Sequence, residues 1–377
     1  MILEVTGTSV RNKGAELMLA TIDHKLGRLP EIELAVDSNF GAYLDRIRYR
    51  LWHKVRIDRF GRSKLGFALL PNSFRKTSGM ISENQIGGII DASGFAFGDQ
   101  LPVATAERFA ANCARWKTQG KRIVLLPQAL GPFQTKPARR AFENIARFAD
   151  LIHARDHDSL SFAMDAAAEH QNKIKLAPDI TIGIDGIPVN DIKLPKSTML
   201  LVPNKRMLDR TNKSRADSYL PFLTRCIRAS RKAGLNPVIL IHDDGEDEAM
   251  LGAIQKTKTE NVPILRETDP LRLKGIMRLA TLVLGSRFHA LLGALSSGVP
   301  AVAAGWSHKY ERLLEDFNCG QQLLKVDATE DDIYQCILTV IGPNHDTILK
   351  SIACAKTRAI GELDQMWSQV KRVFEIS

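Results

Sequence analysis

An arginine and a histidine two residues apart are the side chains of this chain best suited to chemistry. Arg287 and His289 follow an apolar run, residues 281–286, and open a segment with helical apolar spacing, so they stand where a strand passes into a helix. The first turn of a helix exposes unpaired N–H groups and the positive end of the helix dipole, which attract anions. A guanidinium binds carboxylate or phosphate in a planar fork, and an imidazole transfers protons near neutral pH. This junction therefore predicts an anion site with a proton-transfer group.

The surrounding segment carries no acid. Residues 281–310 contain neither Asp nor Glu, so no local carboxylate cancels the positive field. The alternative is structural: Arg287 pairs with a distant acid, and His289 is a hydrogen-bonded core histidine. The strand–helix setting favours the functional interpretation.

Polar residues also follow other predicted strands, and together they are expected to line a ligand cleft. Singly, each is more often structural, and the turn 6–16 is as well explained as a capped strand–helix turn. The candidates in the first half of the chain are Asn12, Gly14, Glu16, Asp99, Gln128 and Arg155. In the second half, Lys205 and Arg206 follow a strand and are expected to approach the cleft, with solvated surface bases as the alternative.

Apolar runs alternate with helical patterns along the whole chain, which predicts an α/β protein with parallel sheets. Strands are predicted at residues 1–7, 86–94, 121–128, 150–156, 197–204, 236–244, 262–267, 281–286 and 299–305. Helices are predicted at residues 14–26, 103–119, 136–148, 214–233 and 346–373. Residues 183–196 are rich in Gly, Pro and Asp and are interpreted as a linker.

The expected architecture is two Rossmann-like domains facing a cleft. Residues 1–185 would form the N-terminal domain on the acceptor side, and residues 186–350 the C-terminal domain on the donor side. Residues 351–377 would form a helix that packs back across the domains.

Composition limits the classes of protein to which the chain can belong. Its 377 residues are 44% apolar and 25% charged, as in a globular protein, and the net charge of +10 (52 − 42) favours anionic partners. Five scattered cysteines, with no C-x-x-C pair, predict neither a disulfide framework nor a zinc site. We find no secretory leader and no convincing membrane span, so we expect a cytoplasmic protein.

Several motifs resemble those of the polysaccharide pyruvyl transferase family. They are NKGAE, SGFAFGD, LPQALGPF, ARDHDS, APD and, most specifically, GSRFHALLGALSSGVP. The resemblance runs from about residue 5 to about residue 310. It implies a two-domain fold like that of GT-B glycosyltransferases. The implied activity is transfer of pyruvate from phosphoenolpyruvate onto two hydroxyls of a sugar as a cyclic ketal, with no metal or further cofactor.

The resemblance also implies roles for individual residues. His289 of the S-R-x-H motif would transfer protons, and Ser286, Arg287 and Arg206 would contact the donor, with Lys205 beside them. One departure concerns the N-terminal turn: the family often has Gly-Asp where this chain has Gly14-Ala15-Glu16.

Two other functions are compatible with these patterns. A GT-B glycosyltransferase would have the same fold, but many such enzymes use a Glu in the region where this chain has His289 and no acid. A non-catalytic polysaccharide-binding protein with a decayed site is the second alternative, although the presence of both Arg287 and His289 weighs against decay.

One segment concentrates the positive charge. Residues 46–76 contain ten Lys or Arg and a single acid, Asp58, so they carry +9 of the net +10, with aromatic residues interleaved. Basic residues among aromatics suit an anionic membrane surface, on which a lipid-linked acceptor would be presented. The alternative is a solvated basic face. Nucleic acid is not expected, because no recognised binding module surrounds the segment.

Overall fold

The chain folds into two compact units. A computed structural model describes residues 1–37, 39–55, 70–209, 211–242, 262–305 and 308–376. The first unit comprises residues 1–183 and 361–377, and the second comprises residues 184–360. The acceptor and donor roles of the two domains stay predictions.

The first unit is built on a parallel sheet of nine strands among the described residues. The strands are β1 (Ile2–Thr6), β2 (Glu33–Asp37), β3 (Trp52–Lys54), β4 (Met80–Ile81), β5 (Ile86–Asp91), β6 (Phe95–Phe97), β7 (Arg122–Leu130), β8 (Leu151–Ala154) and β9 (Ile174–Leu176). Their order is β4-β3-β2-β1-β5-β7-β8-β9, with β6 pairing with one end of β7. The central strands are buried on both faces, as continuous apolar runs require.

Helices alternate with the strands of this unit along the chain. They are α1 (Lys13–Ile22), α2 (Tyr43–Arg48), α3 (Asn72–Thr77), α4 (Val103–Thr118), α5 (Lys136–Phe148) and α6 (His157–Ala166). A π-helical turn, Asp23–Gly27, extends α1, so the predicted helix 14–26 is there but its last turn is wider than an α-helical turn.

Among its described residues, the second unit contains a parallel six-stranded sheet. Its strands are β10 (Thr198–Val202), β11 (Asn236–Ile241), β12 (Ile264–Arg266), β13 (Leu282–Gly285), β14 (Ala301–Ala304) and β15 (Leu323–Leu324). The order β12-β11-β10-β13-β14-β15 is that of a dinucleotide-binding Rossmann sheet. Its helices are α7 (Arg206–Asp209), α8 (Lys213–Lys232), α9 (Pro270–Met277), α10 (Phe288–Ser296), α11 (His308–Asp316) and α12 (Glu330–Ile341).

The last helix, α13 (His345–Phe374), belongs to both units: residues up to 360 lie in the second and those from 361 in the first. No helix in the described ranges combines the length and the apolar character needed to cross a bilayer.

The sequence patterns located helices α1, α4, α5, α8 and α13 and the central strands of both sheets, but missed the 12-residue helix α12. Strands β2, β3, β4, β6, β9 and β15 were not predicted either, since a run of two to five residues carries little periodicity. Residues 243–244 of one predicted strand lie outside the described residues, as do residues 56–69 of the basic segment.

Candidate active site

The second sheet places Arg287 and His289 at its topological switch point. In a sheet of this order, ligands bind outside the carboxyl ends of the two central strands, here β10 and β13. A Cβ on Gly285 would lie 2.8 Å from the carbonyl oxygen of Val202, so only glycine lets the two strand ends approach this closely. The loops that follow, residues 203–206 and 286–289, consequently lie side by side.

A buried hydrogen-bond network joins these two loops. The Asn204 side-chain amide donates to the Ser286 carbonyl (2.7 Å), and the Tyr310 hydroxyl donates to the same carbonyl (2.8 Å). The Asn204 backbone N–H in turn donates to the Tyr219 hydroxyl (3.0 Å). Burial raises the pKa of Tyr310, against the opposing effects of the Arg287 charge and of Asn204, so the phenol stays a neutral donor. The network fixes the Ser286 backbone carbonyl and therefore the position of the neighbouring residue, Arg287.

Arg287 and Ser286 offer polar groups at this point. Arg287 is only 9% exposed, occupies the N-cap position of α10, and donates from Nε to the Pro203 carbonyl (3.2 Å). Ser286 is 1% exposed, and its hydroxyl has no hydrogen-bond partner in the described part of the chain. A buried hydroxyl without a partner is costly, so its presence beside a helix N-terminus fits a ligand contact.

His289 lies in the first turn of α10 and is half-buried. The Phe288 ring stands edge-on to the imidazole, with the ring centroids 5.4 Å apart. Phe288 also contacts the ring of Tyr310, at 6.4 Å between centroids, and Lys309 Nζ lies 5.7 Å from the Phe288 ring centroid. The surroundings of the predicted proton-transfer group are thus aromatic and basic.

Lys205 and Arg206 follow β10 at the same edge of the sheet. Both are half-buried, and Arg206 is the first residue of α7, where its guanidinium pairs with Asp209 (3.3 Å). The Arg206 backbone N–H donates to Asn204 Oδ1 (3.0 Å), which ties it to the network described above. The structure therefore brings five predicted site residues together here: Lys205, Arg206, Ser286, Arg287 and His289.

The first sheet has its own switch point, between β1 and β5, and a buried acid occupies it. Asp91 is 1% exposed and accepts hydrogen bonds from Thr6 Oγ1 (2.9 Å), Ser93 Oγ (2.8 Å) and Gln128 Nε2 (3.1 Å). Burial raises the pKa of Asp91, although these hydrogen bonds oppose the rise. Gln128 is thereby a buried partner of Asp91, an acid that the sequence patterns did not single out.

The N-terminal turn forms as a capped helix start. Asn12 Oδ1 accepts from the Ala15 backbone N–H (3.0 Å), as an N-cap does. Gly14 and Glu16 are buried in the first turn of α1. The Glu16 carboxylate is 2% exposed and is held by Lys13 (2.8 Å), Arg48 (3.3 Å) and Tyr49 (3.0 Å). This acid ties α1 to α2.

Asp99 and Arg155 have structural partners. Asp99 accepts from the Thr135 hydroxyl (2.6 Å) and from the Gln134 backbone N–H (2.6 Å) just before α5. Slight burial acts to raise the pKa of Asp99, but these hydrogen bonds outweigh it and the pKa falls. Arg155 pairs with the buried Asp179 (3.3 Å).

Asp156 caps α6, because its Oδ1 accepts from the Ser159 backbone N–H (2.7 Å). The Ser159 hydroxyl instead accepts from the Leu130 backbone N–H (3.0 Å).

A family model supplies the assignment that the geometry alone does not. The model of the polysaccharide pyruvyl transferases matches residues 12–308. The chain belongs to this family. The match contains both loops of the candidate site and most of the first unit. The chain is therefore classed with transferases that act on polysaccharides, and the resemblance of its motifs to the family is confirmed. No curated protein matches the chain in sequence.

Solved structures confirm the fold. HepE of Anabaena in complex with UDP-glucose superposes with a TM-score of 0.58 at 13% identity, covering 98% of each chain. UDP-GlcNAc 2-epimerase of Neisseria meningitidis, bound to UDP-GlcNAc, has a TM-score of 0.58 at 11% identity, covering 97% of this chain and 100% of its own. A glycosyltransferase of Rickettsia africae has a TM-score of 0.56 at 12% identity, covering 100% and 99%. The predicted α/β fold of two Rossmann-like domains, with GT-B-like architecture, is thus correct.

Two residues of this family member's candidate site were missed by sequence reasoning. Asn204 lies two residues after β10, and Tyr310 is the last residue of the segment without acids, yet neither position has a local signal of its role. Their function in the network depends on Ser286, which lies 82 residues from Asn204 and 24 from Tyr310.

Proposed function

We propose that the protein transfers pyruvate from phosphoenolpyruvate onto two hydroxyls of a sugar in a cell-surface or exopolysaccharide, or in its precursor, forming a cyclic ketal. The observation that carries the proposal is the buried Arg287 at the N-terminus of α10, in a family member whose residues 281–310 contain no acid. Phosphoenolpyruvate carries a carboxylate and a phosphate, and both suit a guanidinium and a helix N-terminus.

Each side chain at the switch point has a part in donor binding. Arg287 would bind the carboxylate or phosphate in a bidentate manner. The Ser286 hydroxyl, which has no partner among the described residues, would donate to the same anion. Lys205 and Arg206 would add positive charge from the neighbouring loop. The Asn204 and Tyr310 hydrogen bonds would keep the Ser286 carbonyl, and with it Arg287, in place before the donor arrives.

The reaction needs one proton delivered and two removed. His289 would protonate the methylene carbon of phosphoenolpyruvate, which leaves the adjacent carbon cationic. A sugar hydroxyl oxygen bonds to that carbon and gives up its proton, the bond to the phosphate oxygen breaks, and phosphate leaves. The second hydroxyl bonds to the same carbon, and its proton leaves as the ketal closes. One released proton restores His289 and the other leaves with phosphate, so the step requires no metal or further cofactor.

The family match does not identify the acceptor sugar, so its nature is part of this proposal. The acceptor would be a sugar of a polysaccharide or of its lipid-linked precursor. The cleft candidates of the first unit are Asn12, Gly14, Glu16, Asp99, Gln128 and Arg155. A cytoplasmic location at the inner face of the membrane, with contact through residues 46–76, would suit a lipid-linked acceptor.

A nucleotide-sugar glycosyltransferase is the second candidate, because HepE and the epimerase were solved with UDP sugars. At 11–13% identity this likeness extends to the fold alone. The absence of acids from residues 281–310 favours phosphoenolpyruvate.

Calorimetry would separate the two donors. We expect saturable binding of phosphoenolpyruvate, and a Kd raised about ten- to a hundredfold by Arg287→Ala, since hydrogen bonds to charged groups contribute roughly 1.5–3 kcal/mol. Arg278→Ala, at an exposed arginine of the same unit, is the matched control and should leave the Kd unchanged. Binding of UDP-glucose or UDP-GlcNAc, with none of phosphoenolpyruvate, would assign the site to a glycosyltransferase instead.

A further inference from the structure

Large apolar side chains are exposed on two short helices of the first unit. Leu44 is 75% exposed, Tyr43 54% and Ile47 52%, all on α2, and Phe74 on α3 is 50% exposed. No residue of α2 is buried, although half of its residues are apolar. Apolar side chains on a helix gain stability by burial against a partner, and among the described residues those of α2 stay exposed.

The two helices flank one groove. Tyr43, Ile47 and Arg50 line it from α2 and the turn after it, and Lys76 lines it from α3. The groove has a volume of about 380 Å³, and the acid in its lining is Glu33. We call the two helices and this groove the α2–α3 surface.

Cations dominate the α2–α3 surface. Arg50 is 67% exposed, with only a marginal contact to Asp23 at 3.5 Å, and Lys76 is exposed at the end of α3. The acid of α2, Asp45, is occupied as a helix cap, because it accepts from the Ala42 backbone N–H (2.8 Å). Arg46 of α2 also lines the groove.

We propose that the α2–α3 surface docks the protein on an anionic lipid bilayer. Isolated aliphatic and aromatic side chains among cations fit the interfacial zone of a membrane, where apolar groups enter the acyl boundary and cations meet anionic headgroups. Nucleic acid fits less well, because the exposed Leu44 and Ile47 gain nothing from phosphates or stacked bases, whereas they gain transfer free energy in lipid. The membrane contact of the proposed function would thus be made by the α2–α3 surface. This surface includes Tyr43 and Leu44, which precede the basic segment 46–76.

Vesicle co-sedimentation without phosphoenolpyruvate tests this surface independently of the donor. We expect the protein to sediment with phosphatidylcholine vesicles that contain about 30% phosphatidylglycerol, far less with pure phosphatidylcholine, and less in 0.5 M salt. Leu44→Ser/Ile47→Ser and Arg50→Glu/Lys76→Glu should each lower the partition coefficient at least about tenfold, given about 1 kcal/mol per cation and about 0.8 kcal/mol per buried CH₂.

Matched variants control for lost apolar area and lost charge. Ile187→Ser/Leu279→Ser removes two exposed aliphatic side chains of the second unit, and Lys193→Glu/Lys196→Glu reverses two exposed charges; both should sediment like the wild type. Equal sedimentation of the α2–α3 variants and the wild type would overturn the proposal, as would no binding to anionic vesicles. A wild-type dimer in solution that Leu44→Ser/Ile47→Ser dissociates would also overturn it, since the surface would then join two copies of the chain.

Discussion

At the scale of single residues, the candidate site depends on one carbonyl oxygen. Ser286 O accepts from Asn204 and from Tyr310, which are 6% and 1% exposed. Two buried donors on one acceptor fix the backbone just before Arg287, so the guanidinium needs little reorganisation when an anion binds. His289 lies two residues after Arg287, in the first turn of α10. The residues of α10 that follow His289 are buried in the core.

His289→Gln should separate catalysis from binding. A general acid–base group contributes on the order of 10²–10⁴-fold to rate, so kcat for phosphate release with an acceptor sugar should fall by about that factor. The Kd for phosphoenolpyruvate should stay within about threefold, because Arg287 remains. His157→Gln, at an exposed histidine, serves as the control. Near-normal kcat in a folded His289→Gln protein would remove the proton-transfer role.

At the scale of elements, a buried histidine joins the C-terminal helix to the first sheet. His153 on β8 is 1% exposed; its Nδ1 lies 3.3 Å from the Leu125 carbonyl oxygen and its Nε2 lies 3.3 Å from Gln369 Oε1 on α13. Burial lowers the pKa of His153 to about 4 from 6.5, more than its two hydrogen-bonding partners raise it. The imidazole is therefore neutral in the folded protein at neutral pH.

This histidine should make stability depend on pH. Below the unfolded-state pKa of 6.5, the unfolded chain binds a proton that the folded chain does not bind until about pH 4, so stability falls as the pH drops through this window. Between pH 7.5 and 5, the loss due to His153 is about 2 kcal/mol, since one pKa unit corresponds to about 1.36 kcal/mol.

Denaturant unfolding at the two pH values would measure this loss. His153→Gln should have a free energy of unfolding that changes less between pH 7.5 and 5 than the wild type, by that same amount. His157→Gln should parallel the wild type. An identical pH dependence for wild type and His153→Gln would exclude His153 as the cause.

At the scale of the whole molecule, the chain returns to its first unit after completing its second. The last part of α13 buries Leu363, Met366, Trp367, Val370 and Phe374 in the first unit. Phe374 is fully buried, and its ring occupies the space that a side chain at Gly88 would take, since a Cβ there would lie 2.5 Å from the Phe374 ring. The stability of the N-terminal sheet thus depends on residues of α13, far from its strands in sequence.

Phe374→Ala should destabilise the first unit by about 3–5 kcal/mol, the usual cost of replacing a buried Phe with Ala. Tryptophan fluorescence during denaturation would report it, because Trp52, Trp116 and Trp367 lie in this unit. Leu176→Ala, at a side chain 39% exposed, should change the free energy of unfolding much less. If Phe374→Ala and the wild type had similar denaturant midpoints of unfolding, the last turn of α13 would not stabilise the first unit.

Patterns within about ten residues determined much of this protein. Apolar periodicity placed α4, α5 and α8 to within one residue at each end, and the apolar runs at β10 and β13 put Lys205, Arg206 and Arg287 at strand ends. The Asn12 cap and the S-R-x-H motif are local as well, so the sequence alone indicated the cap, the family and the candidate anion site.

Tertiary structure decided which polar residues have partners. Glu16 accepts hydrogen bonds from Arg48 and Tyr49, 32 and 33 residues away, and Asp91 accepts one from Gln128 across 37 residues. Two-residue strands such as β4 form because a neighbouring strand pairs with them, and the exposure of α2 is likewise set by which described elements pack nearby. Such pairings depend on which elements the sheet order brings together, and side chains distant in sequence carry no local signal of that contact.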